Sequence, residues 1–201
     1  ESLGDLHGRM TPYATNSEGK ASGKSFIDRL DEPLAGVSRT ISLFLGSVPT
    51  NVANECELAA TILYTPGPFH TFTCGDVCTK NAALSNDRLR IFDLEHGGVR
   101  HALIDGVFSR VRWYHCLYPG RLPDALLDEI DDCYRSAFAR HCQTVRDDEQ
   151  SYQQSYAALT IAWSALAIQW LPSLLNADRR RGGASDRQRL MACLSSLIWV
   201  T

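Results

Sequence analysis

The chain has 201 residues, 44% of them hydrophobic, which suits one compact domain with a substantial core and a composition ordinary for a soluble protein. A net charge of −3 with acids and bases interspersed gives no footprint for nucleic acid, and seven cysteines without framework spacing fit a reducing, cytoplasmic setting better than a secreted disulfide scaffold. No charged leader with an apolar run opens the sequence, so a signal peptide is not expected, and the opening Glu1 points to processing or truncation.

Residues 1–8 read as the end of a helix, with Leu3 and Leu6 on one side and His7 beside them. The stretch 11–25 is polar and rich in Gly, Ser and Thr, which predicts an exposed loop. Within it, Gly19-Lys20-Ala21-Ser22-Gly23-Lys24-Ser25 looks like a phosphate-binding loop. Glu18 stands where the opening glycine belongs and no apolar strand precedes it, so a solvated linker is the better reading. A helix begins over 25–30, and Glu32-Pro33 breaks or restarts it. Residues 37–48 are apolar and β-branched, compatible with helix or strand. Pro49-Thr50-Asn51 then caps a helix over 52–64 with Glu55 and Glu57 outward, Thr65-Pro66-Gly67-Pro68 stops it, and 69–73 reads as a short strand.

That strand delivers the most informative run, Cys74-Gly75-Asp76-Val77-Cys78-Thr79-Lys80-Asn81. Ala82, Ala83 and Leu84 form a strand, Ser85-Asn86-Asp87 is strong turn chemistry, and a returning strand leads into Ile91-Phe92-Asp93-Leu94-Glu95. Such a hairpin brings Asn81 and Asp93 to the same end. Phosphoryl transfer calls for these residue types. One carboxylate orients the attacking hydroxyl and accepts its proton, while an amide oxygen and a second carboxylate hold the magnesium that neutralises nucleotide phosphates.

The run from Cys74 through Asn81, then Arg90-Ile91-Phe92-Asp93-Leu94-Glu95, then His101-Ala102-Leu103-Ile104-Asp105, resembles the aminoglycoside phosphotransferase and choline kinase-like family. The resemblance implies Asp76 as catalytic base, Asn81 and Asp93 as magnesium ligands, Asp105 as a structural aspartate bracing the loop, and ATP or another nucleoside triphosphate as donor. It also favours helix over 37–48. Cys74 stands where the family writes His, a position that supports the loop backbone. Ser2-Leu3-Gly4-Asp5-Leu6-His7-Gly8 is similar to the segment after the lobe hinge of that family, whose amino-terminal nucleotide lobe, with its covering loop and lysine, is not found in this sequence and is expected upstream.

Other candidates cluster nearby. His70, Cys74 and Cys78 recur every fourth residue, as a zinc site would, but no fourth ligand is evident and Gly75 interrupts any helix. Semi-buried thiols are preferred. Glu95 reads equally as a brace for a metal-bound water or substrate amine and as an ordinary strand-end residue. His96 and Lys80 are read as exposed.

Beyond the loop, 102–118 predicts one helix with Leu103, Val107, Val111 and Tyr114 inward and Arg110 and Arg112 outside. A second helix follows over 124–142, whose polar face carries Asp124, Asp128, Glu129, Asp131 and Asp132. These acids are read as a solvated face; the alternative is a cleft wall attracting a cationic substrate. Residues 152–175 are long and apolar, but Gln153, Gln154, Thr160, Ser164, Gln169 and Pro172 favour a core helix over a membrane span. Arg179-Arg180-Arg181 is a loop, and 187–200 is a closing helix with Leu190, Leu194, Leu197 and Ile198 inward.

The sequence therefore predicts an α+β, mainly α protein over 1–201. It would be the helical carboxy-terminal lobe of a protein kinase-like fold, with a small β-hairpin carrying the catalytic loop at 70–95 and a helical remainder at 101–201. Its activity would be transfer of a nucleotide γ-phosphate to the hydroxyl of a small molecule, with neither nucleic acid nor membrane as partner. The competing reading is a catalytically inactive kinase-like fragment acting as a binding or structural module, and a third is a purely structural helical domain with accidental spacing.

Overall fold

The structure, a computed structural model, describes residues 2–14, 26–86, 88–111, 122–181 and 183–197. The phosphate-loop-like stretch at 19–25, Asp87, Arg112 and Ile198 lie outside them. The described chain is mainly helical with small antiparallel β elements, so it is α+β, mainly α.

Helix α8, Glu149–Ile168, runs through the core. Its side chains are buried on several faces, Tyr152, Leu159, Ala162 and Trp163 among them, so it has no single apolar stripe and behaves as an interior helix. The Asp148 side chain caps its start by accepting the Ser151 N–H at 3.0 Å. Helices α2 (Asp31–Leu45) and α3 (Thr50–Tyr64) pack against it, as does α10 (Asp186–Leu197). Each large apolar side chain buried there contributes about 1.5–3 kcal/mol. No helix among the described residues is long and apolar enough to cross a membrane.

Helix α1, Leu3–Ala14, does not end near Gly8 as expected but continues past Pro12. Packing overrides local propensity here. A Cβ on Gly8 would lie 2.5 Å from that of His141, and one on Gly4 would strike the Tyr134 carbonyl, so the two glycines let α1 lie directly on α6, Asp124–Ala139. That contact outweighs the roughly 1 kcal/mol helix penalty of each glycine. The restart expected at Glu32-Pro33 is found: the turn of 3-10 helix at Phe26–Arg29 gives way to α2 at Asp31, and α2 accommodates Pro33. It sits in the first turn, where a missing N–H leaves no bond unmade.

Three small sheets are found among the described residues. Strands β1 (His70–Thr73) and β4 (Gly98–His101) pair antiparallel with Thr73 opposite Gly98, while β2 (Ala82–Ser85) and β3 (Arg88–Ile91) form the expected hairpin. Asn86 occupies its turn with φ at +51°, a conformation its short polar side chain tolerates. Strand β4 was not anticipated. The third sheet joins β5, Arg180–Arg181, to β6, Ala184–Ser185, so two of the three arginines expected in a loop lie in a strand.

The single helix expected over 102–118 is instead two short ones, α4 (Leu103–Gly106) and α5 (Phe108–Val111), with residues 112–118 outside those described. Trp163 Nε1 donates to the Ile104 carbonyl at 2.8 Å, so a distant side chain takes an acceptor that a continuing helix would use. Arg110, expected outside, is buried. Its Nε donates to Asp131 at 2.5 Å and its Nη2 to Asp128, while Tyr156 Oη donates to the same Asp131 oxygen at 2.7 Å. The acidic face of α6 is therefore not wholly solvated, because Asp131 turns inward to an arginine. Helices α7, Gln143–Asp147, and α9, Leu171–Asn176, connect the larger ones.

Candidate functional site

Strand β1 carries the chain into a turn whose backbone is held from below. Asp105, buried at the start of α4, accepts the Cys74 N–H at 2.6 Å on Oδ2 and the Gly75 N–H at 2.9 Å on Oδ1. Charge-assisted bonds of this type are stronger than neutral ones. Gly75 has φ +79°, and a Cβ there would lie 2.5 Å from the His96 carbonyl, so both conformation and space demand glycine.

A second layer steadies the carboxylate. His7 on α1 presents Nε2 to Asp105 Oδ2 at 3.2 Å, and its Nδ1 lies 2.7 Å from the Tyr134 hydroxyl on α6. Thr71 Oγ1 donates to the His7 carbonyl at 2.7 Å, tying β1 to α1. On the other side, buried Arg100 of β4 donates through Nε to Asp28 at 2.5 Å and through Nη1 to the His96 carbonyl at 2.9 Å and Thr73 Oγ1 at 3.2 Å. The chain around Gly75 is thus clamped by α1, α4, α6 and β4.

Above this base Asp76 and Asn81 meet. Asp76 is half-buried. Its Oδ1 accepts the Cys78 N–H at 3.3 Å, and its Oδ2 accepts from Asn81 Nδ2 at 3.0 Å. The same Asn81 amide group donates to the Asp76 carbonyl at 3.1 Å, so the carboxylate is oriented by its own loop. The Asn81 carbonyl in turn accepts the Phe92 N–H at 3.0 Å, which carries the β2–β3 pairing one step further and sets Asp93 just beyond Asn81 at the open end of the hairpin. Asp93 is exposed and has φ +60°, an uncommon conformation for a residue other than glycine and one found disproportionately at functional sites. Asp76 and Asn81 are in direct contact, and Asp93 follows the residue bonded to Asn81.

The remaining candidates sit apart. Glu95 is exposed, with Oε1 3.7 Å from His96 Nε2, and Lys80 is exposed beside Asn81. The Cys74 thiol is buried, and burial, followed by the charge and hydrogen bonding of Asp105, pushes its pKa up to about 12. It is therefore a packed thiol with no reactive thiolate near neutral pH. Cys78 is buried as well, and His70 is half-buried on β1. Among the described residues no group of three or more His, Cys, Asp or Glu side chains is placed to hold a metal ion, and His70, Cys74 and Cys78 lie on a strand, a turn and a loop, not on one helix. The six described cysteines are all free thiols.

Sequence reasoning singled out Asp76, Asn81, Asp93, Cys74, Asp105 and Glu95. It missed His7 and Tyr134 beneath Asp105, and the Asp28–Arg100 pair beside Gly75. A comparison with protein-family models found no match, and no curated protein matches the chain.

Proposed function

We propose that this chain is the helical lobe of a small-molecule phosphotransferase of the aminoglycoside phosphotransferase-like type, cytoplasmic and ATP-dependent. The observation that carries the reading is the meeting of Asp76 with Asn81, and of Asn81 with the backbone step that precedes Asp93. The side chains available are all oxygen donors, the kind magnesium prefers. Magnesium usually takes one or two carboxylates and completes its shell with phosphates and water, so a protein cage of three acids is not required.

In this reading Asn81 and Asp93 hold the magnesium, which supplies neutralisation of phosphate charge when bound. Asn81 uses its Nδ2 on Asp76, which leaves the amide oxygen as its ligand atom. Asp76 aligns the hydroxyl of a small alcohol and takes its proton as the oxygen attacks. The Cys78 N–H and the Asn81 amide fix the direction of its carboxylate. Asp105 holds the loop backbone so that Asp76 does not have to find its place anew in each cycle.

Titration of the chain with ATP, with and without magnesium, tests the reading against Asp93→Ala. Magnesium-dependent binding that disappears in the variant supports a phosphotransferase lobe. No magnesium-dependent binding by either form favours an inactive kinase-like module or a purely structural helical domain.

A further inference from the structure

We infer that His7 is held as its Nε2–H tautomer between Asp105 and Tyr134, and that the Tyr134 hydroxyl, by donating to the other ring nitrogen, keeps His7, Asp105 and the loop that carries Asp76 in register. The reasoning is an inventory of donors and acceptors around one buried imidazole. Both Asp105 oxygens already accept backbone N–H groups, at 2.6 Å and 2.9 Å, so whatever faces Oδ2 from His7 at 3.2 Å must donate. That places the ring proton on Nε2. An imidazole with one proton then has a bare Nδ1, which needs a donor.

The Tyr134 hydroxyl, 2.7 Å away, is that donor. Its other acceptor, the Ala102 carbonyl, is more distant at 3.4 Å and already receives the Asp105 and Gly106 N–H groups at 3.1 and 3.2 Å. Burial holds the phenol pKa well above its ordinary value, so the hydroxyl keeps the proton it must give. The Phe138 edge, at 6.2 Å between centroids, also packs on the ring and offers no competing proton acceptor. The carboxylate on α4 thus sets which nitrogen of His7 carries the proton, a hydroxyl on α6 satisfies the other nitrogen, and that carboxylate holds the turn after β1. Tyr134 is a positioning residue; it acts on the loop only through His7 and Asp105.

The inference concerns loop geometry and needs no nucleotide, so it stands independently of the phosphotransfer reading. The test is 15N NMR of the whole chain with labelled histidine, which reports the protonation of each ring nitrogen, together with backbone amide exchange. In the wild type, His7 should show a protonated Nε2 and an unprotonated Nδ1. Tyr134→Phe keeps the ring that packs edge-on against His7 and Phe138. It should leave the proton on Nε2, move the Nδ1 resonance by removing its hydrogen-bond donor, and speed exchange of the Cys74 and Gly75 amides about tenfold, the size of one lost hydrogen bond. A wild-type His7 protonated at Nδ1, alone or together with Nε2, overturns the inference without any variant being made. So does a Tyr134→Phe protein in which the Nδ1 resonance and the two amides are unchanged.

Discussion

The carboxylate of Asp105 accepts the backbone N–H of Gly75 at 2.9 Å, reaching back 30 positions along the chain. With its companion bond to Cys74 it turns a loop of irregular backbone into a fixed platform. Asp105→Asn removes the charge and presents an amide N–H₂ to partners that are all donors. We predict a loss of about 3 kcal/mol, combining weakened charge-assisted bonds with one unsatisfied buried donor. Urea denaturation measures it as a lowered midpoint at unchanged slope.

Gly75 and Gly36 make a matched pair. At Gly75 an alanine would take on a left-handed φ of +79° and a Cβ 2.5 Å from the His96 carbonyl oxygen, whereas at Gly36, within α2, a Cβ meets nothing within 4 Å. Gly75→Ala should cost about 2–3 kcal/mol, and Gly36→Ala should gain about 0.5–1 kcal/mol from a less flexible unfolded chain and better helix propensity. Thermal denaturation of the two variants should move in opposite directions.

Burial, reinforced by neighbouring His70, lowers the His101 pKa from an ordinary 6.5 to about 3. The folded protein keeps this ring neutral over that interval while the unfolded chain protonates it. The unfolded state therefore binds the extra proton, so this contribution to stability is complete above pH 6.5 and is lost as pH falls towards 3. The loss is about 1.4 kcal/mol per pH unit, or about 2 kcal/mol at pH 5. His101→Asn retains an acceptor for the Leu103 N–H, which Nδ1 now takes at 3.2 Å. The variant should lower overall stability by losing the ring stacked on Phe69 but should show a shallower pH dependence. Equal slopes for the two proteins would contradict this origin.

Thiol labelling offers a local check on the loop. Cys133 is exposed, whereas Cys74 and Cys78 are buried and the Cys74 pKa is pushed up to about 12. A maleimide at neutral pH should modify Cys133 within minutes and leave Cys74 and Cys78 intact until denaturant is added, as mass spectrometry of peptides would show. Asp105→Asn should bring forward the labelling of Cys74 by freeing its backbone.

What could be read from the sequence was what local chemistry specifies. Pro49 and the apolar period after it define α3, and Asn86 between two short apolar runs defines the β2–β3 turn. Asp76 and Asn81, five positions apart, meet within a single loop. What could not be read depends on partners far along the chain. The break at Val107 follows from Trp163, 59 positions after the carbonyl it captures. Arg110 looks like a surface residue until Asp131 is brought to it across 21 positions. Strand β4 is four residues opening on a glycine and has no identity until β1 pairs with it. His7, read in the sequence beside two leucines and within a segment similar to the one after a lobe hinge, finds Asp105 across 98 positions.

The most direct test of the whole account substitutes manganese for magnesium in the presence of ATP and follows paramagnetic broadening of the NMR spectrum. Broadening centred on the Asn81 side-chain amide and the backbone of Phe92 and Asp93, and abolished in Asp93→Ala, is the predicted result. Broadening that is absent, that spreads instead over the acids of α6, or that survives unchanged in Asp93→Ala would contradict the assignment of this hairpin end as the metal-holding part of a phosphotransfer site.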